Sequence, residues 1–126
     1  MRVLVDTNII IELWRNNPQI IERLRSLVPD GIIISATTQA ELIVGALNKA
    51  DLRKILQNLR LLEILPLESA IGVLANELLT THTLSHRLQF PDALIAATAL
   101  HHSLPLFTLN RKDFRYITGL QLHEPA

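Results

Sequence analysis

Short apolar runs, each followed by a stretch of helical periodicity, constrain the fold of this chain more than any other feature. The runs are too short for helices, but their length and composition suit buried strands of a parallel sheet. Parallel strands need long crossover connections, which the helical stretches supply. The pattern therefore predicts an α/β fold with a mainly parallel sheet. The predicted strands are residues 2–5, 32–35, 63–66 and 106–109, with a candidate edge strand at 119–122.

The segments between these strands carry leucine and isoleucine at helical spacing. Pro18 separates the first two helices, because proline is favoured at the first position of a helix. Thr37 or Thr38 is the predicted cap of the helix after the second strand. The last helix is apolar on nearly every side, so it must be buried all round. The predicted helices cover residues 9–14, 18–28, 40–47, 51–62, about 68–83 and 93–101.

Composition narrows the class of protein. The 126 residues fit one domain, residues 1–126, and 12 basic residues balance 12 acidic ones. This balance argues against a strongly basic nucleic-acid-binding tail but allows a local basic patch. The absence of cysteine excludes a disulfide framework, a thiolate metal site and a thiol nucleophile. With no signal peptide and no apolar run of membrane-spanning length, we expect a soluble cytoplasmic domain that binds no membrane.

Acidic or amide side chains stand where the predicted strands end. They are Asp6 after the first strand, Glu41 after the second, Asp92 at the start of the most apolar helix, and Asn110 and Asp113 after the fourth strand. Each also has an ordinary structural interpretation, such as a helix N-cap or a favourable acid in a first helical turn. Because parallel strands bring their carboxyl ends to one edge, we expect these side chains to converge in one cleft.

A convergent set of carboxylates indicates a cation site. Two carboxylates about 5 Å apart repel by roughly 3 kcal/mol at an effective dielectric near 20. Such a cluster persists only with a bound cation or with raised pKa values. Oxygen ligands suit Mg²⁺ or Mn²⁺, which retain waters and accept phosphate oxygens. The chemistry expected of this site is phosphodiester hydrolysis by a water that the metal activates.

Four segments of the chain resemble the four motifs of PIN domains, and most closely those of VapC-type ribonuclease toxins of toxin–antitoxin pairs. The resemblance extends over essentially the whole chain, and the third segment is its most specific part. The segments are Val5-Asp6-Thr7-Asn8, Ala40-Glu41-Leu42, Pro91-Asp92-Ala93-Leu94-Ile95-Ala96-Ala97-Thr98-Ala99 and Thr108-Leu109-Asn110-Arg111-Lys112-Asp113-Phe114.

This resemblance implies a single PIN-like domain with a three-layer α/β/α fold and Mg²⁺- or Mn²⁺-dependent endoribonuclease activity. It implies an RNA substrate, a cognate antitoxin protein and a homodimer. Asp6, Glu41 and Asp92 would be the metal-binding acids. Asn110 stands where many members have a fourth acid, so the catalytic set includes either Asn110 or Asp113 at that place. The residues lining the site would be Thr7, Asn8 and Thr108.

Basic residues and a histidine pair are further candidates. Five basic side chains lie near the predicted cleft in sequence and are candidates for holding RNA phosphates, a contact that positions the RNA without reading its bases. His82 and His86 are four residues apart, a spacing that suits zinc on a helix, but no third ligand is apparent. The phosphate candidates are Arg15, Arg87, Arg111, Lys112 and Arg115.

Three other classes of protein compete with the nuclease. A haloacid-dehalogenase-like phosphatase needs a second Asp two residues after the first, where this chain has Asn8. A nucleotide-binding Rossmann domain needs a glycine-rich turn after the first strand, and none is present. The remaining alternative is a PIN-like binding module with weak or lost catalysis, which the uncharged Asn110 supports.

Overall fold

The computed structural model of the chain describes residues 2–123. Its strands form one sheet in the order β3-β2-β1-β4, and every pairing in it is parallel. Leu4 at the centre is opposite Ile33 on one side and Leu106 on the other. The predicted parallel sheet is therefore confirmed. The strands are β1 Leu4–Val5, β2 Ile33–Ser35, β3 Glu63–Leu65 and β4 Leu106–Phe107.

Helices connect the successive parallel strands, as parallel pairing requires. Of the part of the chain that is described, residues 90–101 form the most buried helix, as its apolar sequence predicts. None of the described helices is long and apolar enough to cross a membrane. The helices are α1 Thr7–Trp14, α2 Pro18–Leu27, α3 Ala36–Val44, α4 Lys49–Leu59, α5 Ser69–His86 and α6 Phe90–His101, and a short 3-10 helix spans Arg111–Asp113.

The sheet separates two hydrophobic cores. Along β1, Leu4 faces one core, whereas Val3 and Val5 face the other, because successive side chains of a strand point to opposite faces. The first core contains the buried residues of α5 and α6. The second contains those of α1, α2, α3 and α4. This arrangement is the three-layer α/β/α fold that the resemblance implies.

Alanines allow α6 to pack closely against its neighbours. Ala93, Ala96, Ala97 and Ala99 are fully buried, and Thr98 in the same turn is buried as well. The Thr98 hydroxyl donates a 2.7 Å hydrogen bond to the carbonyl oxygen of Leu94, so no polar group is left without a partner there. The buried residues from Ala93 to Ala99 anchor α6 in the core, and the N-terminal turn just before them carries Asp92.

Two predicted boundaries at the carboxyl edge of the sheet are wrong, and both involve a hydroxyl. The cap of α3 is Ser35, not Thr37 or Thr38, and its Oγ accepts a 3.0 Å hydrogen bond from the amide of Thr38. The helix therefore begins at Ala36, ahead of both predicted caps. The fourth strand ends at Phe107 instead of residue 109, since the Thr108 hydroxyl accepts a 3.0 Å bond from the amide of Asn110 and turns the chain.

Other boundaries also differ from the prediction. The helix predicted to end near residue 83 continues to His86 and stops at Arg87, which has a left-handed φ of 55°. The helix predicted for 51–62 occupies 49–59, and the one predicted from 93 begins at 90. The predicted edge strand at 119–122 is reduced to a single parallel bridge between Leu106 and Leu122. Backbone bonds of Leu106 with residues 121 and 123 hold this segment against β4.

Candidate active site

Asp6 lies at the junction of β1 and α1, at the centre of the sheet's carboxyl edge. It is 5% exposed and serves as the N-cap of α1. Its Oδ1 accepts a 2.8 Å bond from the amide of Thr7, and its Oδ2 accepts a 2.7 Å bond from the hydroxyl of Thr108. The capping role therefore does not exclude a ligand role, because each carboxylate oxygen can accept a further interaction.

Glu41 is held beside this junction by Thr7. The Thr7 hydroxyl donates a 2.7 Å bond to Oε1 of Glu41, and the hydroxyl oxygen of Thr38 lies 2.9 Å from that of Thr7. Thr38 is fully buried, and Ser35 Oγ donates to its hydroxyl at 3.3 Å. A chain of hydroxyls thus connects the buried N-terminus of α3 to an exposed carboxylate on the same helix.

Asp92 is partly buried in the first turn of α6 and interacts electrostatically with the other acids. Burial raises its pKa to about 6, and the charges of Asp6, Asp113 and Glu41 contribute to that rise. Burial also raises the pKa of Asp6, while the hydrogen bonds from Thr108 and Thr7 oppose the rise. These interactions support the predicted convergence, because Asp6 and Asp92 each lie close enough to the other carboxylates of the cluster to be repelled by them.

Asn110 and Asp113 occupy different places in the loop after β4. Asn110 is exposed, and its amide donates to the Thr108 hydroxyl, so its backbone supports the hydroxyl that holds Asp6. Asp113 is also exposed, and its charge raises the pKa of both Asp6 and Asp92. The carboxylate that joins the acidic cluster from this loop is therefore that of Asp113, one turn beyond Asn110.

Asn8 supports the same loop from α1. Its Oδ1 accepts a 3.3 Å bond from the amide of Leu109. The side chain therefore links the first turn of α1 to the segment between β4 and the short 3-10 helix. Through this hydrogen bond Asn8 connects the first turn of α1, next to Asp6, with the loop that follows β4.

The basic candidates separate into two groups. Arg87 and Lys112 line a cavity of about 160 Å³ together with Asp92 and Asp113, so they stand at the acidic cluster. Arg15 forms an exposed ion pair with Glu12 on α1 at 3.9 Å. The other two basic side chains also have other surroundings: Arg111 donates a 3.0 Å hydrogen bond to the carbonyl oxygen of His123, and Arg115 is exposed.

Tyr116 and His86 are residues of the site that sequence reasoning missed. Both line the same cavity as Asp92, and burial together with the charges of Asp92 and Asp113 raises the pKa of Tyr116. The sequence suggests for His86 only a zinc site shared with His82. Their rings lie 5.7 Å apart, and within residues 2–123 no third ligand joins them. The one available signal was the position of Tyr116 three residues after Asp113.

A second group of metal-ligating side chains lies at the opposite end of α6. Potential ligand atoms of Glu68, His101 and His102 all lie within 4.8 Å of one another. His101 Nε2 and Glu68 Oε2 are 2.7 Å apart, which an ordinary hydrogen bond explains. Over residues 2–123, no three acids of the acidic cluster approach one another so closely.

The chemistry of the acidic cluster fits a hydrated divalent ion. Mg²⁺ retains several waters and takes only one or two protein carboxylates directly, so its ligands need not touch one another. An all-oxygen set without thiolate or imidazole favours Mg²⁺ or Mn²⁺ over zinc. Burial is the main cause of the raised pKa of Asp6 and Asp92, and the part that comes from repulsion between the acids would be relieved by a cation. The donor set therefore fits the predicted metal.

Comparison with known proteins agrees with this geometry. Ribonuclease VapC1 of Haemophilus influenzae (strain R2866) is 37% identical over an alignment of 132 positions, gaps included, which covers 96% of each chain. The solved structure of VapBC-1 from nontypeable Haemophilus influenzae is 34% identical, with a TM-score of 0.82 and 98% of each chain covered. A toxin-antitoxin complex from Klebsiella pneumoniae is 32% identical, with a TM-score of 0.78 and 94% of each chain covered.

The family is shown by the extent of these matches. The family model described as PIN domain matches residues 3–120, a span that contains every residue of the acidic cluster. The resemblance that the four segments carry is thereby confirmed, as is the fold that it implies. This chain belongs to the PIN domain family.

Proposed function

We propose that this protein is a metal-dependent endoribonuclease and the toxin of a toxin–antitoxin pair. The observation that carries the proposal is the convergence of Asp6, Glu41, Asp92 and Asp113 at one sheet edge, where burial and then the charges of the other three acids raise the pKa of Asp92 to about 6. Neighbouring carboxylates disfavour one another's ionised form, and a bound cation removes that penalty. Such a cluster is therefore suited to bind a cation. The relatives named ribonuclease VapC1 support RNA as the substrate.

In this proposal Asp6, Glu41 and Asp92 hold Mg²⁺ or Mn²⁺. When bound, such an ion activates a water and neutralises charge on the phosphate that is cleaved. Thr108 orients Asp6, and Thr7 orients Glu41, so both carboxylates are fixed before substrate arrives. Asp113 is the fourth acid of the catalytic set.

Asn110 has a different role in this proposal. Its backbone amide supports Thr108, and its exposed side chain is available to position water or RNA. Asn8 lines the site and accepts a hydrogen bond from the Leu109 amide. Arg87 and Lys112 are the strongest candidates for RNA phosphates, because they share a cavity with two of the acids. Arg15, Arg111 and Arg115 remain weaker candidates.

The proposed protein partner is a cognate antitoxin, and the proposed assembly is a homodimer in the cytoplasm. The similar solved structures are toxin–antitoxin complexes, which supports the antitoxin. Leu47 and Leu84 are 88% and 99% exposed, and Val44 is 83% exposed, so apolar surface is available for protein contacts. Co-expression with the product of the adjacent upstream reading frame tests the partner, and light scattering of the purified protein tests the dimer.

A nuclease assay separates the enzyme from a PIN-like binding module with weak or lost catalysis. The module is favoured by the uncharged Asn110, and the enzyme by the charge that Asp113 brings to the cluster. We expect RNA cleavage in Mg²⁺ or Mn²⁺, none in EDTA and none from Asp6→Asn protein in either metal. Equal cleavage by wild type and Asp6→Asn would indicate a contaminating nuclease and would favour the module.

A further inference from the structure

Three aromatic rings form a cluster beside the acids. Tyr116 stacks on His86 with ring centroids 3.9 Å apart and planes inclined by 7°. His82 meets the same tyrosine edge-on, with centroids 4.9 Å apart and planes inclined by 62°. Since the charges of Asp92 and Asp113 act on Tyr116, the ring stack adjoins the acidic cluster. None of the roles assigned so far uses these rings.

His86 is the outer member of the stack. It is the last residue of α5 and is exposed, whereas Tyr116 is partly buried. The Ser85 hydroxyl oxygen and Nδ1 of His86 lie 2.8 Å apart, a contact that orients the imidazole ring. The left-handed Arg87 then turns the chain away from the helix axis. The imidazole therefore has a fixed orientation, support from Tyr116 and access to solvent.

The cavity beside the stack combines three kinds of chemistry. Its lining includes the aromatic pair, two cations, Arg87 and Lys112, and two acids, Asp92 and Asp113. Its volume of about 160 Å³ lies below the range of roughly 300–1,000 Å³ that holds a whole drug-sized ligand. A cavity of this size admits one unit of a longer chain, with the rest of that chain lying outside.

A single-stranded RNA nucleotide matches this combination better than a peptide does. Unstacked bases bind proteins by stacking on aromatic rings, and basic side chains hold the adjoining phosphates. The two acids would repel a free anion, but Asp92 is one of the groups proposed to hold the cation at the cleaved phosphate, and Asp113 is the fourth acid of the catalytic set. Cleavage of such an RNA requires groups that bind a base, groups that bind a phosphate and catalytic acids next to one another. The lining of this cavity contains all three.

We propose that His86 and Tyr116 form a base-stacking subsite for the nucleotide next to the cleaved phosphate, with Arg87 and Lys112 holding that nucleotide's phosphate. The proposal rests on the proposed ribonuclease function and adds a substrate class, single-stranded RNA with a splayed base. Stacking on a π-face tolerates every base, so this subsite selects for single strands rather than for sequence. His86 is a binding residue and has no part in the proton transfers of cleavage.

The test compares His86→Ala with His86→Phe, which retains a stacking ring, and with His82→Ala, which removes the edge-on ring. The first assay follows cleavage of a short fluorescent RNA whose cleavage position has been mapped with the wild type. We expect His86→Ala to raise KM by roughly five- to 150-fold, the range for loss of one stacked base, with kcat nearly unchanged. His86→Phe should stay within a factor of about three of the wild type. His82→Ala should change KM much less than His86→Ala.

A second assay removes the base instead of the ring. An abasic unit is placed at each position beside the mapped cleavage site, and binding is measured by fluorescence anisotropy with Asp6→Asn protein, which cannot cleave. We expect one abasic position to weaken binding in the presence of His86 and to have little effect when His86→Ala is added. This non-additivity is the mark of a direct contact between the ring and that base.

The outcomes distinguish the two proposals. If the wild type cleaves RNA but the abasic unit weakens binding equally with and without His86, the stacking subsite is wrong and the ribonuclease stands. If His86→Ala leaves RNA binding intact and instead weakens binding of the antitoxin, the cavity is a protein contact and the subsite is wrong. If the wild type cleaves no RNA in Mg²⁺ or Mn²⁺, the proposed function is wrong and the subsite falls with it.

Discussion

The hydroxyl of Thr108 donates a 2.7 Å hydrogen bond to Oδ2 of Asp6, across 102 positions of the sequence. The same hydroxyl accepts a bond from the amide of Asn110, so its single proton is directed to the carboxylate. The bond joins the ends of the adjacent strands β1 and β4. Asp6, a central acid of the site, is therefore oriented by the residue that directly follows β4, and β4 also leads into the last segment of the site.

Thr108→Val should reduce cleavage most strongly at low pH. A hydrogen bond to the ionised form lowers the pKa of Asp6, so losing it raises that pKa further and protonates the acid at a higher pH. We expect Mg²⁺-dependent cleavage to lose more activity at pH 6 than at pH 8, relative to the wild type. Thr108→Ser keeps the hydroxyl and should retain most activity. A pH profile parallel to the wild type's would show that the bond does not control Asp6.

Asp6→Asn and Asp92→Asn should abolish metal-dependent RNA cleavage and leave the helical circular dichroism spectrum in place. Each substitution removes a charge at the end of an element and little packing, and Asn still caps helices well at position 6. Cleavage of a labelled RNA in Mg²⁺ and a far-UV spectrum are the two measurements. Asp30→Asn, at an exposed acid in the turn before β2, is the matched control and should cleave normally. Wild-type cleavage by folded Asp92→Asn protein would remove Asp92 from the catalytic set.

Asp113→Asn should weaken Mg²⁺ binding, and Asn110→Asp should strengthen it. The charge of Asp113 already acts on Asp6 and Asp92, so removing it lowers the attraction for a cation. Asn110 follows Thr108 closely, so a carboxylate there adds charge near the same edge. Isothermal titration with MgCl₂ measures both. If Asp113→Asn binds Mg²⁺ as the wild type does, Asp113 is a loop residue and the cluster has three functional acids.

Most of the acidic cluster was predictable because its acids lie at the ends of strands or the starts of helices. Asp6 and Asp92 interrupt apolar patterns at a strand end and a helix start, and parallel strands bring such ends to one edge whatever the details of packing. The alternation of strands and helices likewise predicts the sheet and its layers. These conclusions need only local periodicity and the rules of chain connection.

The remaining features depend on tertiary contacts that no local pattern encodes. His86 and Tyr116 stack although 30 positions separate them, because α5 runs three residues further than its polar end suggests. The fourth strand stops early because the side chain of Thr108 competes for a backbone amide. Asn110 carries no charge, and the charge of Asp113 acts on Asp6 and Asp92 from the 3-10 helix that follows the strand. Each of these depends on geometry that only the folded chain supplies.

Stability should change with pH in opposite directions for metal-free and metal-bound protein. The folded pKa of Asp92 is about 6, against an ordinary value of 3.8, and that of Asp6 is also raised. The folded state therefore binds more protons than the unfolded state between about pH 4 and 6, and metal-free stability should increase as pH falls through that window. In EDTA, we expect a higher melting temperature at pH 5 than at pH 7.

Bound metal should reverse this trend, because its ligands must be ionised. Mg²⁺ at a hundredfold its dissociation constant adds about 2.7 kcal/mol to the free energy of unfolding. That increment should be present at pH 7 and should shrink toward pH 5, as Asp92 takes up its proton. Thermal melts at the two pH values, with EDTA and with MgCl₂, measure both effects. Asp92→Asn should flatten the metal-free dependence and lose most of the Mg²⁺ shift, while Asp30→Asn keeps both. Equal Mg²⁺ shifts in wild type and Asp92→Asn would show that the ion binds elsewhere, and the carboxylate site would then have to be abandoned.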